Sequence, residues 1–164
     1  MAGRPLMVAL VLVAGCAPTP HRAPPAMRMF EGLPVSGSLA DARRAGFTAC
    51  AERDPDGLRC VRHGVTLEGE GPYEAAVDLI GSDGGGGFDQ LTLWHGQDQY
   101  AVVRITDALE RRGWRHCSTG TDTKGDQMIF TSRDADVRIS MDLSFWGKRR
   151  LRVIPGGNRA EPGC

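Results

Sequence analysis

The sequence predicts an α+β domain of two tandem repeats, in which each helix is followed by antiparallel strands and the helices lie on one face of a sheet. Three observations support this fold class. The pattern Gly-aromatic-x-x-Cys occurs at 46–50 and again at 113–117. A segment with helical spacing of apolar residues precedes each copy, and segments of alternating polarity follow it. Helices combined with antiparallel strands are typical of α+β domains.

The first residues have the organisation of a secretion signal. Arg4 provides a positive charge, and nine apolar residues follow without interruption at 6–14. This run is too short to cross a bilayer core, which needs about 20 apolar residues. It has the size of the apolar segment of a signal peptide. We therefore expect residues 1–15 to be a signal peptide that is removed.

The end of this signal resembles the lipobox of bacterial lipoproteins. Val13-Ala14-Gly15-Cys16 has the aliphatic residue, the two small residues and the cysteine in the required order. The resemblance implies cleavage after Gly15 and attachment of acyl chains to Cys16, which anchor the protein to a membrane. Ala17, in place of the aspartate that retains lipoproteins at the inner membrane, implies the outer membrane with the domain facing the periplasm. An ordinary signal peptide with an incidental cysteine is the alternative.

Residues 16–35 are predicted to form a lipid-anchored tether. They are rich in proline and have little apolar periodicity. Proline-rich segments stay extended and act as semi-rigid spacers. The folded domain is therefore expected at 36–164, with repeat one at about 36–96 and repeat two at about 97–164.

Two helices are predicted inside the domain. A capping-box pattern at Ser38–Asp41 predicts the start of the first helix, which ends at Gly46. The second is predicted from about Gln99 to Arg112, with Asp98 as its cap. Its apolar residues form a stripe along one side, namely Val102, Ile105 and Leu109.

Strands are predicted where apolar and polar residues alternate. The clearest alternation covers 137–145, and a weaker one covers 73–80. Shorter strands are expected at 47–52, 58–62, 88–94, 114–119, 127–132 and 149–154. The glycine-rich stretch 81–87 is a connection between strands, because it lacks the Gly-Lys-Ser/Thr sequence of a phosphate-binding loop.

The tandem plan of helix and sheet resembles the secreted β-lactamase inhibitor proteins, whose repeats also carry a short-range disulfide. It is also loosely similar to small lipoproteins of outer-membrane assembly. Both resemblances concern the plan of 36–164, and the motif shared by its two halves is Gly-aromatic-x-x-Cys. The first resemblance implies an inhibitor of a hydrolase as one candidate function.

Four cysteines remain after Cys16, and an even number in an exported domain predicts two disulfides, for which three pairings exist. Cys50 and Cys60 flank a short turn at 54–57, so we favour their pairing. That choice leaves Cys117 with Cys164. A zinc site made from these cysteines is the alternative, although the C-x₂-C spacing of such sites is absent.

The charge balance argues against nucleic acid as a partner. The chain has 20 basic and 20 acidic side chains, and removal of residues 1–15 leaves 19 basic and 20 acidic. A domain without net positive charge has no overall field that attracts phosphate backbones. We expect no nucleic-acid partner, and no pattern in the sequence implies a cofactor.

The histidines are dispersed and form no catalytic signature. Neither the H-E-x-x-H pattern of metalloproteases nor the G-x-S-x-G pattern of α/β-hydrolases occurs. The sharpest enzymatic hypothesis uses His95 as a base near Asp89 or Asp98. A surface histidine at the end of a strand is the interpretation that we favour, so no catalytic residue is assigned.

Tryptophans and a basic cluster near two strand ends form a candidate contact surface. It consists of Trp94, His95, Trp146, Lys148, Arg149, Arg150 and Arg152. The cluster could meet lipid phosphates or an acidic partner. The structural interpretation, favoured from the sequence, is that these charges protect an edge strand from pairing with other chains. Trp114, which follows a helix end, is predicted to be in the core.

The sequence therefore favours a non-enzymatic envelope lipoprotein that binds or scaffolds another macromolecule, with a protein partner in the envelope. An inhibitor of a hydrolase is the second candidate function. An envelope hydrolase is the third.

Overall fold

The computed structural model describes residues 23–53, 56–98, 100–120, 126–142 and 149–156. The predicted signal peptide and four residues of the predicted sites lie outside this part of the chain, namely Cys16, Trp146, Lys148 and Cys164. In chain order the elements are β1 Arg28–Phe30, β2 Leu33–Ser36, α1 Leu39–Arg44, β3 Ala49–Arg53, β4 Gly57–Leu67, β5 Glu70–Ile80, β6 Leu91–Trp94, α2 Ala101–Arg111, β7 Arg115–Ser118, β8 Gln127–Thr131, β9 Val137–Asp142 and β10 Leu151–Pro155.

The predicted fold class, an α+β domain of two helix-and-strand repeats, is wrong. The described chain is mainly β, with one antiparallel sheet of eight strands in the order β3-β4-β5-β6-β10-β9-β8-β7. Of the two described helices, α1 has only 6 residues and α2 has 11. The capping and stop signals mark where each helix begins and ends, but they do not make helix a major layer of the domain.

The pairing of β6 with β10 makes the sheet continuous. Leu93 lies opposite Leu151, and Leu91 lies opposite Val153. All four side chains are fully buried in one core. Pairing these two strands buries their apolar residues together and removes two free sheet edges, which is more favourable than two separate units.

The predicted helix starts are close to the observed ones. The Ser38 hydroxyl accepts a hydrogen bond from the Asp41 N–H at 3.2 Å, and the Asp41 carboxylate accepts one from the Ser38 N–H at 2.8 Å. This is the predicted capping box. The hydrogen bonds from Ser38 lower the pKa of Asp41. Before α2, the Asp98 carboxylate accepts a hydrogen bond from the Tyr100 N–H at 2.8 Å.

A hairpin of β1 and β2 occupies residues that the sequence assigns to the tether. Glu31 and Gly32 form its turn, with φ values of 49° and 74°. Positive φ at both central residues is typical of a tight two-residue hairpin turn. Leu33 and Val35 are buried in the core, so 28–35 belong to the folded domain. The region was assigned to a tether because it is rich in proline. Its two strands are too short, at 3 and 4 residues, to show periodicity in the sequence.

The hairpin and α2 lie on the same side of the eight-stranded sheet. β2 lies against β6 and β10. Phe30 of β1 packs edge-on against Trp114, with ring centroids 5.8 Å apart. Trp114 is buried, as predicted, and the apolar stripe of α2 joins the same core. We call the side of the sheet opposite the hairpin and α2 the open face, although Thr92 and Ser140 near its centre are only 4% and 6% exposed.

The predicted Cys50–Cys60 disulfide is confirmed. Cys50 in β3 lies directly opposite Cys60 in β4, with Cα atoms 4.0 Å apart. The bond therefore joins β3, which is an edge strand of the sheet, to its neighbour. Cys117 is also disulfide-bonded. Since Cys164 lies outside the described residues, the Cys117–Cys164 pairing stays a prediction.

Candidate functional site

The centre of the open face brings polar residues of four strands together. Side chains alternate between the two faces of a strand, so the neighbours of buried Leu91, Leu93, Leu151 and Val153 lie on the open face. Thr92 of β6 is opposite Arg152 of β10, which in turn is opposite Ser140 of β9. Trp94 is opposite Glu74 of β5. The strand register therefore builds two neighbouring rows across the middle of the sheet, one through Thr92 and one through Trp94.

A cleft of about 200 Å³ lies in this part of the open face. Its lining residues are Arg59, Thr92, Trp94 and Arg150. Pockets for cofactors and drug-sized ligands usually measure about 300–1,000 Å³. The cleft is therefore better matched to one or two side chains of a partner than to a cofactor.

Arg59 forms a fixed wall of the cleft. Its Nε donates to Asp78 Oδ1 and its Nη2 donates to Asp78 Oδ2, both at 2.6 Å. Arg53 Nη1 donates to the same Oδ1 at 3.1 Å. Burial alone raises the pKa of Asp78, but the hydrogen bonds and charges of Arg59 and Arg53 outweigh it and hold this pKa below its usual value. The hydrogen bonds to Asp78 also raise the pKa of Arg59. Asp78 therefore orients Arg59 and offsets its charge.

Arg150 and Arg152 are not neutralised in this way. Arg152 Nη1 lies 3.4 Å from Gln127 Oε1, which also accepts a hydrogen bond from the Ser140 hydroxyl at 2.8 Å. Within the described chain, neither arginine forms an ion pair with a carboxylate. Glu74, which lies opposite Trp94, is paired with His63, and the acid next to Arg150 across the strands is Asp142 of β9, whose N–H donates to the Arg150 carbonyl at 3.0 Å. Arg150 therefore lies beside Trp94 in the cleft without an ion pair in the described chain, and Arg152 lies opposite Thr92 of the same cleft.

No family model, curated protein or solved structure matches this chain. Within the described ranges, no group of three His, Cys, Asp or Glu side chains is arranged to hold a metal ion. None of the helices there has both the length and the apolar character that a membrane span requires.

The predicted contact surface is divided by the sheet. Trp94, Arg150 and Arg152 lie on the open face, and the first two line the same cleft. The guanidinium of Arg149 lies 5.5 Å from the ring centre of Tyr100, next to the start of α2. Trp146 and Lys148 lie outside the described residues.

The structural interpretation of the basic cluster, that it protects an edge strand, is wrong. β10 pairs with β6 on one side and with β9 on the other, so it is an interior strand of the sheet. An interior strand has no unpaired backbone groups for another chain to bind. The arginines of β10 therefore need a different explanation.

The His95 side chain stabilises the loop between β6 and α2. Its Nδ1 accepts hydrogen bonds from the N–H groups of Asp98 at 2.8 Å and Gln97 at 3.2 Å. The Asp98 carboxylate is engaged with the Tyr100 N–H and with Arg104 at 3.0 Å. Asp98 therefore holds the start of α2 and does not contact the imidazole through its carboxylate. This arrangement favours the structural interpretation of His95.

Sequence reasoning did not identify Arg59, Asp78, Thr92 or Gln127. All four lie in predicted strands, and their alternation with apolar residues indicates which way they face. Alternation does not reveal which strands are neighbours. The contribution of β4 and β8 to one surface with β10 depends on pairings between residues far apart in the chain.

A second charged cluster lies away from the open face, at the end of α2. Arg112 pairs with Glu68 and lies 3.5 Å from Glu31. Glu31 and Glu68 are the first residues of two tight turns, with φ values of 49° and 54°. Only 3% of the Glu68 side chain is exposed. Burial raises the pKa of Glu68, the charge of Glu31 adds to this, and Arg112 opposes it. The cluster joins α2 to both turns, which is a structural role.

Proposed function

We propose that this chain is a membrane-anchored envelope lipoprotein that binds a protein partner through the open face. The lipobox resemblance supports acylation at Cys16, and the apolar run before it supports export. The proposed contact centres on the cleft beside Trp94. We propose no catalytic role for this surface.

The observation that carries the proposal is a half-buried indole beside arginines that form no ion pair in the described chain. Trp94 and Arg150 line the cleft, and Arg152 adjoins it. Tryptophan and arginine are the residue types most enriched among those that dominate protein–protein binding energies. The indole offers a large and rigid apolar contact area. The planar guanidinium group presents its hydrogen-bond donors in a fixed geometry.

The same arginines define the chemistry of the partner. A guanidinium donates paired hydrogen bonds that match the geometry of a carboxylate. Since Arg150 and Arg152 lack carboxylate partners in the described chain, an acidic surface of the partner would supply them. An apolar side chain at the centre of that surface would fill the cleft against Trp94. The partner is therefore a protein with acidic residues around an exposed apolar residue.

Photo-crosslinking in native cells tests this proposal. Trp94 is replaced by p-benzoylphenylalanine, which is also aromatic, and Tyr100 is replaced in a second strain as the matched control. Tyr100 is 66% exposed and lies at the start of α2 on the other side of the sheet. We expect a specific crosslinked protein from position 94 and none from position 100.

Charge reversal then identifies the chemistry of the contact. In the strain with the crosslinker at position 94, Arg150→Glu is expected to abolish the crosslink, because a carboxylate would face the acidic surface of the partner. Arg43→Glu, at an exposed residue of α1, is expected to leave it intact. Equal capture from both crosslinker positions, or a crosslink that persists with Arg150→Glu, would contradict the proposal.

A further inference from the structure

We infer that the hairpin side of the domain rests on the lipid bilayer, with Met27 and Met29 in contact with lipid. This inference rests on the anchor at Cys16 that forms part of the proposed function. It goes beyond the anchor because it determines which side of the domain faces the membrane.

The chain is attached to the domain close to its anchor. Gly87 leaves no room between itself and Pro24 or Pro25, since a Cβ built at Gly87 would lie 2.7 Å from the Pro24 Cβ and 2.9 Å from the Pro25 Cδ. The Ser36 hydroxyl donates a hydrogen bond to the Ala26 carbonyl at 2.8 Å. Seven residues along the chain lead from Cys16 to Ala23, which span at most about 25 Å when fully extended. The hairpin side is therefore held near the bilayer.

Exposed apolar side chains lie close to this attachment. Met27 is 46% exposed and Met29 is 48% exposed, and among the described residues the other large apolar side chains in the exposed class are Ile80 and Tyr100. Two methionines so close to the tether offer flexible apolar side chains that adapt to an irregular surface. Arg28 lies between them in the chain and is also exposed.

The orientation follows from the position of the hairpin in the fold. β2 packs against β6 and β10 from the core side of the sheet, and Leu33 and Val35 are buried there. The open face is on the opposite side of the same strands. A bilayer at the hairpin therefore leaves Trp94 and Arg150 directed away from the membrane, toward a partner in the envelope.

Methyl NMR of the acylated protein in lipid nanodiscs tests the inference with native side chains. Outside the predicted signal peptide the chain has four methionines, Met27 and Met29 in or beside β1, Met128 in β8 and Met141 in β9. A gadolinium chelate on lipid head groups broadens the signals of nearby methyl groups. Single Met→Leu variants assign the four signals. Met128 and Met141 are the internal controls, because Met141 is buried in the core and Met128, which lies opposite it, packs against the same core.

We expect the signals of Met27 and Met29 to be lost on addition of the gadolinium lipid while those of Met128 and Met141 are retained. Retention of all four signals in acylated protein, or earlier loss at Met128, would overturn the inference and leave the anchor intact. A native mass without acyl chains would overturn the anchor and this inference together. Neither result affects crosslinking at position 94, which tests the open face separately.

Discussion

At the scale of single residues, two glycines with the same φ angle differ in the space that surrounds them. A side chain added at one would be tolerated better than at the other. Gly64 and Gly87 both have a φ of 68°. A Cβ at Gly64 would meet no atom within 4 Å, whereas one at Gly87 would lie 2.4 Å from the Gly37 carbonyl oxygen. Gly64 lies at an irregularity within β4 and Gly87 lies in the loop before β6, and the sequence alone does not distinguish them. The difference arises because Gly87 lies where the start of the domain crosses the loop before β6.

Alanine substitutions at these two glycines should separate backbone strain from steric overlap. Gly64→Ala is expected to lower the free energy of unfolding by about 1–2 kcal/mol, the cost of a left-handed conformation for an L-residue. Gly87→Ala is expected to cost about 1–3 kcal/mol more, because neighbouring backbone must move to admit the methyl group. Chemical denaturation of both variants measures the difference. Equal losses would show that Gly87 is not closely packed against Gly37 and Pro24.

The ion pairs of Asp78 predict a dependence of stability on pH. Asp78→Asn is expected to lower the free energy of unfolding by about 1–2 kcal/mol near neutral pH, because Asp78 accepts charged hydrogen bonds at a partly exposed position. Since the folded pKa of Asp78 lies below its usual value, this contribution is present above about pH 3.9 and is lost as the pH falls through the folded pKa.

Denaturation of the wild type and Asp78→Asn across the acidic range measures this effect. Asp107→Asn, at an exposed residue of α2, is the control and should change stability little at any pH. A difference between wild type and Asp78→Asn that stays constant below pH 3 would contradict the ion-pair account.

At the scale of elements, local sequence signals predicted where helices and strands lie in the chain better than they predicted which elements are neighbours in the fold. The capping box at Ser38 and the alternation in β9 can be recognised from the sequence because they depend on residues a few positions apart. The hairpin of β1 and β2 was missed because each strand is too short to show periodicity. The interior position of β10 was missed because it depends on β6, which lies far away in the sequence.

Arg112 joins the end of α2 to two turns, so its removal should be costly. Arg112→Met leaves the Glu68 carboxylate buried without its cation. Breaking a fully buried pair costs about 3–5 kcal/mol, and we expect about 2–3 kcal/mol here because Arg112 itself is half exposed. Arg111→Met, at the exposed neighbouring residue, is the matched control and is expected to change stability by less than about 0.5 kcal/mol.

The cost of Arg112→Met should also depend on pH. The pKa of Glu68 is raised in the folded protein, and loss of Arg112 removes an influence that opposes this rise. Folding therefore favours the protonated form, so the stability of the variant is highest below the usual glutamate pKa of about 4.3 and is lost as the pH rises through the folded pKa. Thermal unfolding from pH 4 to pH 8 should show the gap to wild type widening. A gap that narrows toward pH 8 would refute this role for Glu68.

At the scale of the whole molecule, the predicted fold class is wrong, and the sequence did not show which residues share the open face. The periodicity of single strands indicated which side chains are apolar on one face, and the position of Trp114 after a helix end correctly predicted that it lies in the core. It did not indicate that β6 and β10 join to make one sheet. The open face exists only because of that joining, so Arg59 could not be associated with Arg150 from the sequence.

The central claim is that the open face is covered by a partner in the native envelope. Hydroxyl-radical footprinting, read by mass spectrometry, compares the oxidation of Trp94 in native membranes with that in the purified acylated protein in lipid nanodiscs, so that the bilayer is present in both samples. Tyr100 is the reference side chain. The account predicts that Trp94 oxidises more slowly in membranes, that Tyr100 is unchanged, and that Arg150→Glu restores the faster rate at Trp94. Equal oxidation of Trp94 in membranes and in the purified protein would contradict it.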